Sequence, residues 1–183
     1  MDFYSESFFI AEAKKRPLLE QRTFSTEDKR APLSKVFDIF LSYNIANQEA
    51  VIAIYYVLRS KGLSVYLDCI VDPELKRSDT SKSTAQLLRT RLEHSRSLLY
   101  AQSPDAAHSN WMPWELGVVD GRTKKCFVMP VTKDAKPVTP KREYLSIYPY
   151  VKPGVDNVMK IFSEGSEPRP LVSDFVNFIK SIR

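Results

Sequence analysis

Glycine is scarce in this 183-residue chain, with five residues in all. Neither a G-x-G-x-x-G turn nor a G-x-x-x-x-G-K-[ST] loop occurs, which excludes the glycine-lined phosphate cradles of Rossmann and P-loop nucleotide sites. Cysteine is rarer: Cys69 and Cys126 lie in separate segments, so a disulfide framework and a CxxC centre are excluded, and a reducing compartment fits best. The only histidines are His94 and His108. No metal-ligand spacing is present, and His108 has no orienting partner for a nucleophilic triad, so it reads as a surface residue. No apolar run approaches a membrane span, and "MDFYSESFFIAEAKKRP" lacks the long apolar core of a signal peptide. The expectation is a soluble, cytoplasmic protein that engages no membrane.

What is present is globular composition: 43% hydrophobic, 27% charged and 11% aromatic residues. The length suffices for a buried core and suggests one domain with an extension. The net charge of +5 is spread along the chain, with only short clusters such as "AKKR" and "RTKK". It reads as a solvated basic surface, and no nucleic-acid partner is expected.

The apolar pattern alternates. From Val36, "VFDIFLSY" is rich in β-branched and aromatic residues and almost wholly apolar apart from Asp38, as a strand covered on both faces would be. In "NQEAVIAIYYVLRSKG", Val51, Ile54, Tyr55 and Leu58 recur at helical spacing and Gly62 marks the stop. There follow a strand "LSVYLD", a polar loop "CIVDPELKRSDTSKST", a helix "AQLLRTRLEHS", a strand "RSLLYAQS", a short helix "NWMPWELGVVDG" and a strand "KCFVMPV". "YLSIYPYV" reads as a fifth strand and "PLVSDFVNFIKSI" as a closing helix. Strands alternating with short helices predict an α/β fold: an open, mainly parallel five-stranded sheet with helices on both faces. Residues 1–34 stand outside the alternation, with "FFIAEAKKRPLLEQR" as a helix docked on the domain and interrupted at Pro17, and "STEDKRAPLS" as a linker. The domain proper is then 35–183.

In an open parallel sheet, ligands collect at the carboxyl ends of the strands. That rule selects Ser42–Tyr43–Asn44, Asp68, Ser103 and the start of the Trp111 helix. In "SNWMPWELG", Ser109 or Asn110 can cap the helix and Pro113 falls in its first turn, where a missing N–H costs nothing. Trp111 and Glu115, four residues apart, share one face. An indole wall suits a planar ring, and a carboxylate beside it can bind ribose hydroxyls and stabilise a positive ribosyl carbon. The competing account is packing by both tryptophans, with Glu115 as a favourable first-turn acid. Spacing alone leaves both open. Asp68 is either a loop cap or a rim residue. "KRSDTSKST" is either a solvated loop or, through Lys76 and Arg77, a contact for diphosphate.

Taken together, "FDIFLSY", "GLSVYLD", "SRSLLYAQSPDAAHSNWMPWELG" and "KCFVMPV", in order from Val36 to Val131, resemble the Toll/interleukin-1 receptor (TIR) domain family. The resemblance implies a flavodoxin-like sheet. It also implies membership of a family divided between NAD-cleaving enzymes and scaffolds that only assemble. In the enzymatic branch a glutamate four residues after a tryptophan is catalytic, which here is Glu115 after Trp111, leaving Trp114 to the core. Tyr43, Asp68 and Ser103 match positions near the substrate. Asn44 stands where some enzymatic members carry arginine, which moves the phosphate contacts to Lys76 or Arg77.

The resemblance to small stand-alone bacterial members, as in Thoeris-like antiphage defence, implies an enzyme that turns NAD+, its substrate rather than a cofactor, into an ADP-ribose-derived signal. Such a protein would self-associate through TIR surfaces and reach a separate effector through its diffusible product. Two rival expectations stand beside this one: a non-catalytic TIR scaffold, and a nucleoside ribosyltransferase with a carboxylate at the same rim.

Overall fold

The alternation of strands and amphipathic helices is realised in the computed structural model, which describes residues 3–29, 31–75, 78, 81–133, 143–154, 158–163 and 171–183. In chain order the elements are β1 (Tyr4–Ser5), α1 (Glu6–Lys14), α2 (Leu18–Asp28), β2 (Ile39–Tyr43), α3 (Gln48–Ser60), β3 (Val65–Tyr66), α4 (Asp68–Val71), α5 (Lys82–Glu93), β4 (Leu98–Gln102), α6 (Trp111–Thr123), β5 (Cys126–Thr132), β6 (Tyr150–Pro153), β7 (Met159–Ser163), β8 (Leu171–Asp174) and α7 (Phe175–Ser181). Short 3-10 turns cover Pro104–His108 and Glu143–Ile147.

The strands β3-β2-β4-β5-β6 are neighbours in that order and all parallel, the flavodoxin-like arrangement. The reversal of strand order falls between β2 and β4, so the crevice at their carboxyl ends is where such folds bind ligands. Period-two alternation sorts the side chains. Ile39, Leu41, Leu99, Ala101, Phe127 and Met129 pack with α1, α3 and α7, while Phe40, Leu98, Tyr100, Cys126 and Val128 pack with α5 and α6. The helix α3 follows its sequence pattern: Asn47 caps it by accepting from the Ala50 N–H at 3.4 Å, and Gly62, at φ 79°, turns the chain just past its end.

The sheet goes beyond the five parallel strands. Antiparallel β7 and β8 extend it past β6, and β1 pairs in parallel with the last residues of β5, Tyr4 with Val131 and Ser5 with Thr132. "PLVSDFVNFIKSI", expected to be helix throughout, begins as β8, and Asp174 then caps α7 by accepting from Asn177 N–H at 2.9 Å. The four residues Leu171–Asp174, two apolar and two polar, have no strong local preference, and their pairing with β7 decides them. "YLSIYPYV" is strand only from Tyr150. Its first half is a 3-10 turn, because Pro149 has no N–H for a ladder, although its carbonyl accepts from Val128 N–H at 2.9 Å. The polar loop after β3 opens with the helical turn α4.

The first residues are packed against the rest. Tyr4 and Phe9 are buried, α1 lies on α3, and Ser25–Asp28, read from sequence as the start of a linker, form the last turn of α2. Asp28 is fully buried, accepting from Tyr55 OH at 2.7 Å and paired with Lys35 and Arg59. At the amino ends of β2 and β3, Asp38 receives Ser64 N–H at 2.7 Å and Arg183 Nη2 at 2.8 Å, which ties the C-terminus to the sheet.

Candidate active site

The helix α6 begins where the sequence placed it. Ser109 Oγ accepts from Met112 N–H at 3.2 Å and supplies the cap, while the Asn110 side chain makes no capping bond. Pro113 lies within the first turn. Met112, Glu115, Leu116 and Val119 are the buried residues of α6, at spacings of three and four. Glu115 therefore occupies a core position in an apolar stripe. It is 0% exposed and lies beyond the first turn, so the reading of it as a favourable first-turn acid is overturned.

A buried carboxylate needs donors. Ser42, on the face of β2 that packs under α6, gives one: its Oγ donates to Glu115 Oε2 at 2.6 Å. The next residue points the other way. Tyr43 packs against the opposite core, and its hydroxyl donates to Asp68 Oδ1 at 2.8 Å. Asp68 Oδ1 also accepts Cys69 N–H at 2.7 Å, which ties the carboxylate to the first residues of α4.

Asn44 and Ser103 meet at the same edge. Ser103 Oγ donates to the Asn44 carbonyl at 2.8 Å and accepts from Ala106 N–H at 3.2 Å, while Asn44 Nδ2 donates to the Asp105 carbonyl at 2.7 Å. These bonds pin the loop after β2 to the turn that leads into α6. The Asp105 carboxylate, which sequence reasoning missed, lies 3.7 Å from Lys133 Nζ and accepts from Ala46 N–H at 3.5 Å. Lys76 and Arg77 lie outside the described residues.

Trp114, expected in the core, is not enclosed by it. Trp111 and Trp114 are both partly buried against the α5/α6 core cluster, their rings edge-on with centroids 5.5 Å apart at 72°, and the Arg89 guanidinium lies 5.9 Å from the Trp114 ring. Trp111, Trp114 and Val118 follow the edge of the buried stripe at helical spacing, so each indole is half covered. Burial, with a smaller contribution from Asp120, pushes the Cys126 thiol up to about 12, which removes it as a nucleophile.

Ser42, Tyr43, Asn44, Ser103, Trp111 and Glu115 thus come from the carboxyl ends of β2 and β4 and the start of α6, with Asp68 at the end of β3. Sequence reasoning placed Ser42 at the rim but did not pair it with Glu115; the signal was that Ser42 is the polar side chain that alternation puts on the α6 face of β2. An enclosed carboxylate held by a hydroxyl, one helical turn from an indole, suits stabilisation of a transient cation on a ring-bearing substrate.

A family model described as the TIR domain matches residues 39–154. A Bacillus cereus protein named "Probable 3' cyclic ADP-D-ribose synthase ThsB'" is 36% identical over 150 residues, covering 81% of this chain and 76% of that protein. A Cytobacillus dafuensis protein named "Putative cyclic ADP-D-ribose synthase TIR2" is 24% identical over 111 residues, which are 60% of this chain and 29% of that protein. Among solved structures, the TIR domain of the Toll-related receptor TRR-2 from Hydra magnipapillata is similar at a TM-score of 0.49 and 17% identity, covering 64% of this chain and 84% of that one.

Proposed function

This chain belongs to the TIR domain family, and from that premise we propose that it cleaves the nicotinamide–ribose bond of NAD+, with Glu115 as the catalytic carboxylate. The observation that carries the reading is Glu115 itself: an acid on the apolar stripe of α6, fully enclosed, hydrogen-bonded at 2.6 Å and one turn from Trp111. Enclosing an acid on an apolar stripe costs desolvation that an apolar residue there would not, and a cation-forming reaction gives that acid a use.

In that reaction the electron pair of the glycosidic C–N bond leaves with nicotinamide, which departs neutral. The ribosyl carbon becomes positive, and the Glu115 carboxylate stabilises it. Attack by water yields ADP-ribose and a proton; attack by a nitrogen or hydroxyl within the molecule yields a cyclic isomer; an outside nucleophile yields a conjugate. A relative named for 3′ cyclic ADP-D-ribose synthesis supports the cyclic branch. Trp111 flanks the ring pocket, and Tyr43, Asn44, Asp68 and Ser103 shape the rim toward the ribose, with Lys76 and Arg77 the candidates for diphosphate. NAD+ is the substrate, and no resident cofactor takes part.

The setting is bacterial antiphage defence in the cytoplasm, with self-association through TIR surfaces and an effector reached by the diffusible product. Among the described residues no helix is long and apolar enough to cross a membrane. In this reading an extension over residues 1–34 packs onto a TIR domain over 35–183.

Incubating the purified chain with NAD+ beside Glu115→Gln, with nicotinamide followed by chromatography and the other product by mass spectrometry, tests the proposal. Release should fall by about a hundredfold or more in the variant. Equal release by both proteins, or none by either, overturns it. Preference for a free nucleoside would keep Glu115 but replace the substrate.

A further inference from the structure

The serine and tyrosine at the end of β2 hold two carboxylates on opposite faces of the sheet. Strand alternation turns Ser42 toward α6 and Tyr43 toward the other core, and each hydroxyl meets an acid from a distant element: Glu115 at 2.6 Å and Asp68 at 2.8 Å. The two contacts differ in kind. Ser42 and Glu115 are both 0% exposed, whereas Tyr43 is partly exposed.

We propose that Ser42 is the positioning residue for Glu115: its hydroxyl donates to Oε2, fixes the plane of the carboxylate and keeps it ionised. This inference rests on the assignment of Glu115 as the catalytic group and extends it to the residue that sets its state.

Three features support it. The separation of 2.6 Å falls in the range of about 2.5–2.7 Å seen for a hydroxyl bonded to an ionised oxygen. The serine is mounted on β2, where it pairs with Tyr100 of β4, so its position is set by the sheet and not by a loop. Without rotamer restraint a glutamate has three side-chain torsions to order, and a bond from a rigid strand removes that freedom before substrate arrives. Ser42 touches the carboxylate and acts through it, so it is a positioning residue and not a catalytic one.

The electrostatic consequence has a sign. A donor bonded to the anionic form favours ionisation, so withdrawing it makes protonation of Glu115 easier. An enzyme that needs the carboxylate ionised should then lose activity on the acid side at a higher pH than before. Packing damage alone would lower activity at every pH and leave that limb in place.

The test measures nicotinamide release from NAD+ as a function of pH and substrate concentration for the full chain, Ser42→Ala, Ser42→Cys and Glu115→Gln, with thermal midpoints for all four. Ser42→Cys nearly keeps the volume and exchanges a strong donor for a weak one, so it carries the test if the alanine variant fails to fold. The expected result is a kcat about ten- to a hundredfold lower with little change in KM, together with an acid limb moved to higher pH. Normal kcat and an unmoved limb in the Ser42 variants, with Glu115→Gln inactive, would overturn the positioning role while leaving the catalytic assignment standing. A lower kcat with an unmoved limb overturns it as well. Full activity in Glu115→Gln overturns the assignment beneath it.

Discussion

Replacing Asp28 with asparagine tests whether the first residues are part of the folded unit or an appendage. Asp28 ends α2 and is fully buried; it accepts from Tyr55 OH at 2.7 Å, pairs with Lys35, and has Arg59 Nε at 3.0 Å as an ion pair without hydrogen-bond geometry. Asparagine keeps the shape and removes the charge, leaving two cations facing a neutral amide. Breaking one side of a buried pair costs about 3–5 kcal/mol. The lower end applies here, because the Lys35 side chain keeps 28% of its exposure and Arg59 keeps Glu27 at 2.8 Å. A loss of about 3 kcal/mol in a domain of this size lowers Tm by roughly 6–12 °C. Urea unfolding followed by circular dichroism and a thermal scan read both quantities, with Tyr55→Phe as a control that should cost about 1 kcal/mol. A loss below about 1 kcal/mol for Asp28→Asn, with an unmoved Tm, would refute the inference that α2 is anchored through this cluster.

Four further outcomes follow from the same structure. Tyr43→Phe removes the bond to Asp68, and under the proposed function it should raise KM for NAD+ several-fold with a smaller effect on kcat; an unchanged KM argues against Asp68 at the rim. Phe9→Ala opens a cavity under α1 at a fully buried position and should cost about 3–5 kcal/mol in urea unfolding, whereas a loosely docked helix would lose far less. Burial alone would raise the Asp38 carboxyl, but donors from Arg183 and Ser64 together outweigh it and hold it below its usual 3.8, so its contribution to stability is present above that value and lost as pH falls through the lower folded one. The stability gap between the parent and Arg183→Gln should accordingly be constant near neutrality and close in acid, and a gap that widened in acid would contradict the sign. Iodoacetamide at mildly alkaline pH should label exposed Cys69 and spare buried Cys126, giving one adduct by mass spectrometry in the folded protein and two after denaturation.

Much of the fold was legible in the sequence because its determinants are local. "VFDIFLSY" and "KCFVMPV" carry the mostly apolar character of strands buried on both faces, and the pattern Val51, Ile54, Tyr55, Leu58 carries the period of a helix. The weaker passages are those where a partner decides. Leu171–Asp174 is a strand because β7 lies beside it, and the Glu143–Ile147 turn precedes a strand that starts only after Pro149. Lengths and propensities there do not favour one answer.

The chain by itself determined the order of elements and the four-residue spacing of Trp111 and Glu115, since both are written within a few residues of backbone. Only the tertiary structure decided what that carboxylate is. It set Glu115 into the buried stripe of α6 and brought it Ser42 from 73 positions away, as it brought Tyr43 to Asp68 across 25. It left the two tryptophans together at the edge of the cluster. Periodicity fixes which face a side chain takes, but which distant face it meets depends on strand order, and strand order is a property of the assembled sheet.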